Sequence, residues 1–426
     1  MLYLVVYVLL LVLSLFFYWH NKKAIDAGFL LIALYIVYAV FSILLYKDSA
    51  FEFQYYDIKI LPLLFLYACL MISFSPVLSF DSSKYKGIQS PAGWYTDALA
   101  WIIILSYVFQ IGIVYKNLYS GISLILMDED GGADLYTYMA DNAASGGIGI
   151  SNIFAIIGNM FYDFGILLLF YYLSKEHKNK WIIAGLAMAM VIGILTYIAA
   201  GQRGGMVKRT LVAIGTFLLL KDYIGEKTRR TIRRVGIVVI ALVATLFMAV
   251  SLSRFSTREG GVGSSFNRYA GQSVIYFDQY AFDNNGIRYG DRVAPVFKRL
   301  LTIDNVPRNY IERRAKYPHL YINDEVFVTF VGDLCFDFGP IVALFLIVVF
   351  SIINRNAIRY KGSVFPFHKL ILLHLGMCVC LQGGSLFPFA DLGNIELILY
   401  MLLYLFFSLD YSSSSHNRHA SLPVNA

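Results

Sequence analysis

The feature that most constrains this 426-residue chain is the recurrence of long apolar stretches from one end to the other. Eleven segments qualify as spans: about 2–19, 27–46, 58–80, 97–117, 151–174, 181–200, 207–221, 236–254, 325–353, 369–387 and 394–410. An α-helix needs about 20 mostly apolar residues to cross the hydrocarbon of a bilayer. Inside lipid every backbone N–H and C=O must find a partner within the chain, which favours helices. Composition agrees, with 58% hydrophobic and 15% charged residues and a mean hydropathy of +0.63. Soluble domains carry about a quarter charged residues, so an ordinary soluble enzyme, a coiled coil and a disordered chain are excluded. The expectation is an all-α polytopic integral membrane protein with about 11 transmembrane helices.

Basic residues orient the spans. The first span lacks a basic leader and is followed by Lys22 and Lys23, which places the N-terminus outside. The alternate loops 20–26, 81–96, 175–180, 221–235, 354–369 and the tail hold 18 of the 35 Lys and Arg, as cytoplasmic loops do. The chain therefore divides into transmembrane helices 1–8 (1–254), a large extracytoplasmic loop (255–324), helices 9–11 (325–411) and a cytoplasmic tail (412–426). The large loop holds ten Lys or Arg, and loops longer than about 60 residues escape the charge rule. Short amphipathic helices are expected in it around 264–280 and 306–316. Cys69, Cys335, Cys378 and Cys380 all lie in apolar segments, so no disulfide framework is indicated.

Three clusters offer chemistry. In Gly201-Gln-Arg203-Gly-Gly205, between two spans, Arg203 is either a clamp on a lipid phosphate or an interfacial side chain snorkelling to headgroups. Arg254 and Arg258, four apart where the eighth span exits, would face a shared anion, with Glu259 beside them to orient an Arg or take a proton. In the large loop, arginines including Arg288 alternate with tyrosines, a surface suited to sugars as well as phosphates. Before the ninth span stand His319, Asp324 and Glu325. A histidine there suits general-base work, and helix capping is the alternative role of the acids.

The sequence lacks a P-loop, a His-Glu-x-x-His pair, a Gly-x-Ser-x-Gly elbow and an Asp-x-Asp pair on the cytoplasmic side. A reaction without metal or cofactor is expected, with Arg neutralising a leaving pyrophosphate. Nucleic acid is not an expected partner of an extracytoplasmic loop. A weak internal echo links 158–165 (GNMFYDFG) with 332–339 (GDLCFDFG).

The aromatic-rich spans, the Gly-x-Arg-Gly turn at 201–206, the Arg-rich loop and the segment 324–342 together resemble the bacterial O-antigen or oligosaccharide repeat-unit polymerases (Wzy type). These sit in a superfamily with the O-antigen ligases. The resemblance implies a glycosyltransferase of the bacterial inner membrane. It would join polyprenyl-pyrophosphate-linked repeat units on the extracytoplasmic face, alongside a flippase and a chain-length regulator. It further implies that Arg203, Arg254, Arg258 and Arg288 bind pyrophosphate and that His319, Glu259 or Glu325 serves as base. The rival expectations are an O-antigen ligase, a transporter of lipid-linked oligosaccharide and a scaffold of a glycan assembly complex.

Overall fold

The computed structural model describes residues 1–91, 93–127, 150–200, 202–255 and 261–420. In chain order its helices are α1 (Leu2–Lys22), α2 (Ala27–Tyr46), α3 (Ile60–Ser79), α4 (Gly93–Val108), α5 (Ile111–Met127), α6 (Ile150–Met160), α7 (Tyr162–Ser174), α8 (Lys180–Ala199) and α9 (Arg203–Leu220). There follow α10 (Glu226–Phe255), α11 (Gly261–Tyr280), α12 (Pro295–Leu300), α13 (Tyr310–Lys316), α14 (Thr329–Phe338), α15 (Pro340–Ile358), α16 (Phe367–Gln382) and α17 (Gly393–Ala420). Among the described residues there is no strand beyond a single bridge between Ile88 and Phe365. The protein is a membrane-embedded helical bundle.

Among the described residues, eight helical stretches are long and apolar enough to cross a membrane. The pair α6 and α7, bent by 57° at Phe161, makes a ninth if it is one broken span. Eleven were expected, and the two remaining segments show why the numbers differ. Helix α9 carries Arg203, Lys208 and Arg209 in its first turns, too much charge for a lipid-facing span. Helix α16 is apolar but has only 16 residues, and nearly all of them from Phe367 to Leu381 are buried in protein.

The expected span 325–353 divides in two. Helix α14 ends at Gly339, whose φ of 79° only glycine adopts readily. Pro340, lacking an N–H, then begins α15 afresh. Both echo segments thus sit on helix breaks. The registers differ, with the first break at Phe161 inside its segment and the second at its last residue. The last helix also continues into the expected tail, through Ala420.

The basic loops meet at one end of the bundle. Lys22 Nζ donates to Phe80 O at 2.6 Å, Lys86 N to Ser363 O at 2.8 Å and Lys178 Nζ to Thr228 Oγ1 at 2.7 Å. Lys221 Nζ donates to Ile25 O, Ser82 Oγ to Asp222, and the Tyr360 and Tyr411 hydroxyls pair at 2.9 Å. At the other end, residues 261–328 form a cap. Helix α11 lies against α2, its Ser264 and Asn267 bonded to Asp48 and its Asp278 accepting from Lys59 N. The cap helices expected around 264–280 and 306–316 are α11 and α13, and α12 is an addition.

Candidate functional site

The cap's basic residues are largely neutralised by carboxylates of the cap, of α14 and of the segment before α17. Asp337 accepts Arg288 Nε at 2.6 Å and the backbone N–H groups of Arg292 and Val293 at 3.1 and 2.7 Å. Asp324 accepts Arg292 NH1 at 2.7 Å and Arg313 Nε at 2.9 Å. Asp333 faces Arg288 and Arg292, both at 3.3 Å, and caps the 387 amide at 2.7 Å. Arg313 also reaches Asp391 at 2.6 Å. Below this knot Asp291 holds Lys298, Lys316 at 2.7 Å and the Tyr317 hydroxyl at 2.8 Å. The five cations Arg288, Arg292, Arg313, Lys298 and Lys316 thus meet the five carboxylates of Asp291, Asp324, Asp333, Asp337 and Asp391.

Burial works against the charge of Arg288, but the surrounding carboxylates of Asp337, Asp333 and Asp324 outweigh it and raise its pKa. Burial likewise opposes ionisation of Asp324 and Asp291. For Asp324 the guanidinium groups of Arg292 and Arg313 prevail, and for Asp291 the hydrogen bonds from Lys298, Lys316 and Tyr317 do, so both carboxyls titrate below the usual range. Removing one partner of such a buried pair strands an uncompensated charge and costs about 3–5 kcal/mol. Each of these carboxylates is already engaged by arginine, lysine or backbone N–H, which leaves no open set of ligands for a metal ion. Arg288 is fully buried and bonded to Asp337, Asp333, Asp324 and two carbonyls. The guanidinium expected to bind pyrophosphate thus has its donors engaged within the protein.

Helix α9 holds its cations differently. Arg203 is 5% exposed, donates to Ser251 Oγ at 2.9 Å, and lies with its guanidinium carbon 5.5 Å from the Phe247 ring and 5.2 Å from the Tyr269 ring. The two glycines after it leave room for rings. A Cβ on Gly204 would strike the Tyr269 hydroxyl, and one on Gly205 the Tyr197 ring. These glycines thus admit tyrosines to the helix.

Six residues along α9, Arg209 is sandwiched between the rings of Tyr162 (3.8 Å) and Tyr197 (4.4 Å). Its nitrogens donate to Gly193 O and, at 2.7 Å, to Asn159 Oδ1. Between them stands Lys208. Asp163, Asp333 and Arg292 are the charged groups that act on it, yet among the described residues it forms no hydrogen bond and no ion pair within 4 Å. It lies deep in the bundle and still keeps part of its surface accessible.

Ionisable groups continue inward from there. Asp163, in the first turn of α7 beside the bend, accepts Gln382 Nε2 at 2.5 Å. Glu396 in the first turn of α17 has a buried carboxyl oxygen with no hydrogen-bond partner. Deeper, His374 joins Thr216 Oγ1 at 2.8 Å and the Tyr400 hydroxyl at 3.2 Å.

His319 is exposed on the cap, edge-on to Tyr317. Glu325, expected as a base, is half-exposed, pairs with Arg314 at 3.1 Å and accepts Asn323 N at 3.0 Å. Arg254 stands in the last turn of α10. Arg258 and Glu259 lie outside the described residues. Sequence reading passed over Lys208, Arg209 and the pairing of Arg292 with Asp333. The available signal was three cations within 203–209 at the head of an otherwise apolar helix.

Comparison with protein-family models, with curated proteins and with solved structures finds no match.

Proposed function

We propose that the protein polymerises polyprenyl-pyrophosphate-linked oligosaccharide repeat units, with the cap on the extracytoplasmic face of a bacterial inner membrane. The observation that carries this reading is Lys208, a cation inside the bundle with no ion pair among the described residues, five residues from Arg203 on one helix. A pyrophosphate entering from the cap end would supply the missing negative charge. The acceptor hydroxyl attacks the anomeric carbon of the donor sugar, the new glycosidic C–O bond forms, and the bond to pyrophosphate breaks. Charge growing on the leaving phosphate is stabilised by Lys208 and Arg203, positioned beforehand. The hydroxyl proton passes to a carboxylate. Glu259 and Glu325 are the carboxylates the sequence offers, with His319 as its other base, and Asp163, an acid on Lys208's side without a guanidinium ion pair among the described residues, is the one added by the fold. The flippase and the chain-length regulator remain the partners this reading implies.

A second reading has its own support. Lys208, Asp163, Glu396 and His374 run inward along the bundle, and a column of ionisable groups suits a transporter of the same lipid-linked oligosaccharide. One gel separates the two. The gene is deleted, and the strain is complemented with wild type, Lys208→Gln or Arg203→Ala. Single repeat units on their final acceptor, with the ladder restored by wild type alone, support polymerisation through these cations. Full ladders from both variants overturn the assignment. Glycan held on the cytoplasmic side favours transport, and long polymer on the lipid carrier favours a ligase.

A further inference from the structure

The cap exposes an apolar edge that the proposed reaction does not use. In the segment around α12 and α13, Leu300 is 68% exposed, Leu301 71%, Ile303 47%, Tyr310 52% and Ile311 59%. These residues lie in a polar stretch, where large apolar side chains this exposed call for a neighbour.

The position of the edge identifies that neighbour. Val296 N donates to Asn394 Oδ1 at 3.1 Å, and Asn394 Nδ2 returns to Val293 O at 2.7 Å. Asn394 stands at the start of α17, in a stretch long and apolar enough to cross the membrane (Gly393–Tyr411). Helix α12 is therefore fastened at the level where a span begins. Leu392, 71% exposed, adjoins the same start and continues the edge toward the outward-facing Met401, Leu402 and Leu405 of α17. Basic side chains flank the apolar ones. Arg299 and Arg308 are exposed, and neither forms an ion pair among the described residues. An apolar edge rimmed by arginine at a span's end has the chemistry of the bilayer interface, with leucines among acyl chains and guanidinium groups on phosphates.

The geometry points to an amphipathic membrane foot: residues 299–311 of the cap insert into the adjoining leaflet and hold anionic lipid headgroups through Arg299 and Arg308. The foot leads directly into the ion knot, because Arg313 and Lys298 flank it and bind Asp324, Asp391 and Asp291. The leaflet thereby sets the height of the cap above the bundle. This inference does not depend on which reaction the protein performs.

A nitroxide label on Leu301→Cys tests it. The four native cysteines are free and buried, so a surface label goes to the new site. The protein is placed in nanodiscs of phosphatidylethanolamine with phosphatidylglycerol, or of phosphatidylcholine alone. Relaxation by oxygen and by a water-soluble nickel chelate is compared with labels at Leu402→Cys for lipid and Lys361→Cys for water. The expected result is an oxygen-to-nickel ratio near that of Leu402→Cys. It should fall toward the aqueous value in Arg299→Glu/Arg308→Glu, and the wild-type arginines should place the label deeper in the anionic discs. A ratio equal to that of Lys361→Cys in both lipids overturns the proposal and leaves the edge to a protein partner. A deep label unmoved by the charge reversal or by lipid charge overturns the headgroup part.

Discussion

The cap and the head of α9 are both rich in buried cations, and they treat them in opposite ways. In the cap, Arg288, Arg292 and Arg313 face Asp324, Asp333, Asp337 and Asp391 at hydrogen-bond distance. In α9, Arg209 is held by two aromatic faces, an amide oxygen and a carbonyl, and among the described residues Lys208 has no ion pair. A matched carboxylate cancels the field of a guanidinium and spends it on architecture. An aromatic ring or a neutral oxygen fixes the position of the cation and leaves much of its charge for a further anion. Basic residue count alone therefore says little about where an anionic substrate binds.

The sharpest way to break this contrast is to remove a cation from each region. Arg288→Ala should destabilise the protein by about 3–5 kcal/mol, the range for one broken buried pair, read as a fall in the detergent melting temperature. An unchanged melting temperature would place Arg288 outside the architecture. Lys208→Gln should melt like wild type yet lose about 10²–10³ in polymerisation rate, measured with a purified lipid-linked repeat unit. Normal turnover would return α9 to a structural role.

Acidity sharpens the contrast further. Asp291 and Asp324 titrate low in the fold, so their stabilisation is complete above the ordinary carboxylate range and drains away as pH falls through their depressed values. Asp278, pushed up to about 7 by burial, acts with the opposite sign: its contribution is full in acid and is lost as pH rises through about 7. Melting at pH 6 and pH 8 should show wild type losing stability over that step and Asp278→Asn losing less. An identical drop in both assigns the change elsewhere. The smallest effect belongs to the surface pair Arg314 and Glu325. Glu325→Gln should cost at most about 1 kcal/mol and leave the glycan ladder intact, whereas loss of polymer from a folded variant would restore Glu325 as the base.

The helical bundle and the gathering of the basic loops were legible in the sequence because both are written in local composition. Apolar length and Lys or Arg at loop positions need no knowledge of distant neighbours. The Gly339-Pro340 break had a local signal, since that dipeptide ends a helix, but the continuous apolar run 325–353 reads as one span. The bend at Phe161 was not legible, for no proline or glycine stands at that residue. The cap knot was hidden for another reason. Asp291, Asp324, Asp333, Asp337 and Asp391 are spread over a hundred residues, and only the tertiary fold brings them to three arginines and two lysines. The role of Gly204 and Gly205 depends in the same way on Tyr269 and Tyr197, residues remote from the turn or on the preceding helix.

Helix α16 has a consequence for how the protein is made. Its 16 residues extend about 24 Å at 1.5 Å per residue, less than the roughly 30 Å of hydrocarbon. Ringed by protein in the finished bundle, it is never asked to satisfy lipid by itself, and it carries His368, Lys369 and His374. As the chain leaves the ribosome, such a segment gains a stable seat only when the helices on either side arrive. Biogenesis thus acquires an order, with α15 settling in the bilayer first and α16 entering together with α17 as a hairpin. A chain cut short after residue 392 would leave α16 stranded, a natural checkpoint for the cell's quality-control proteases.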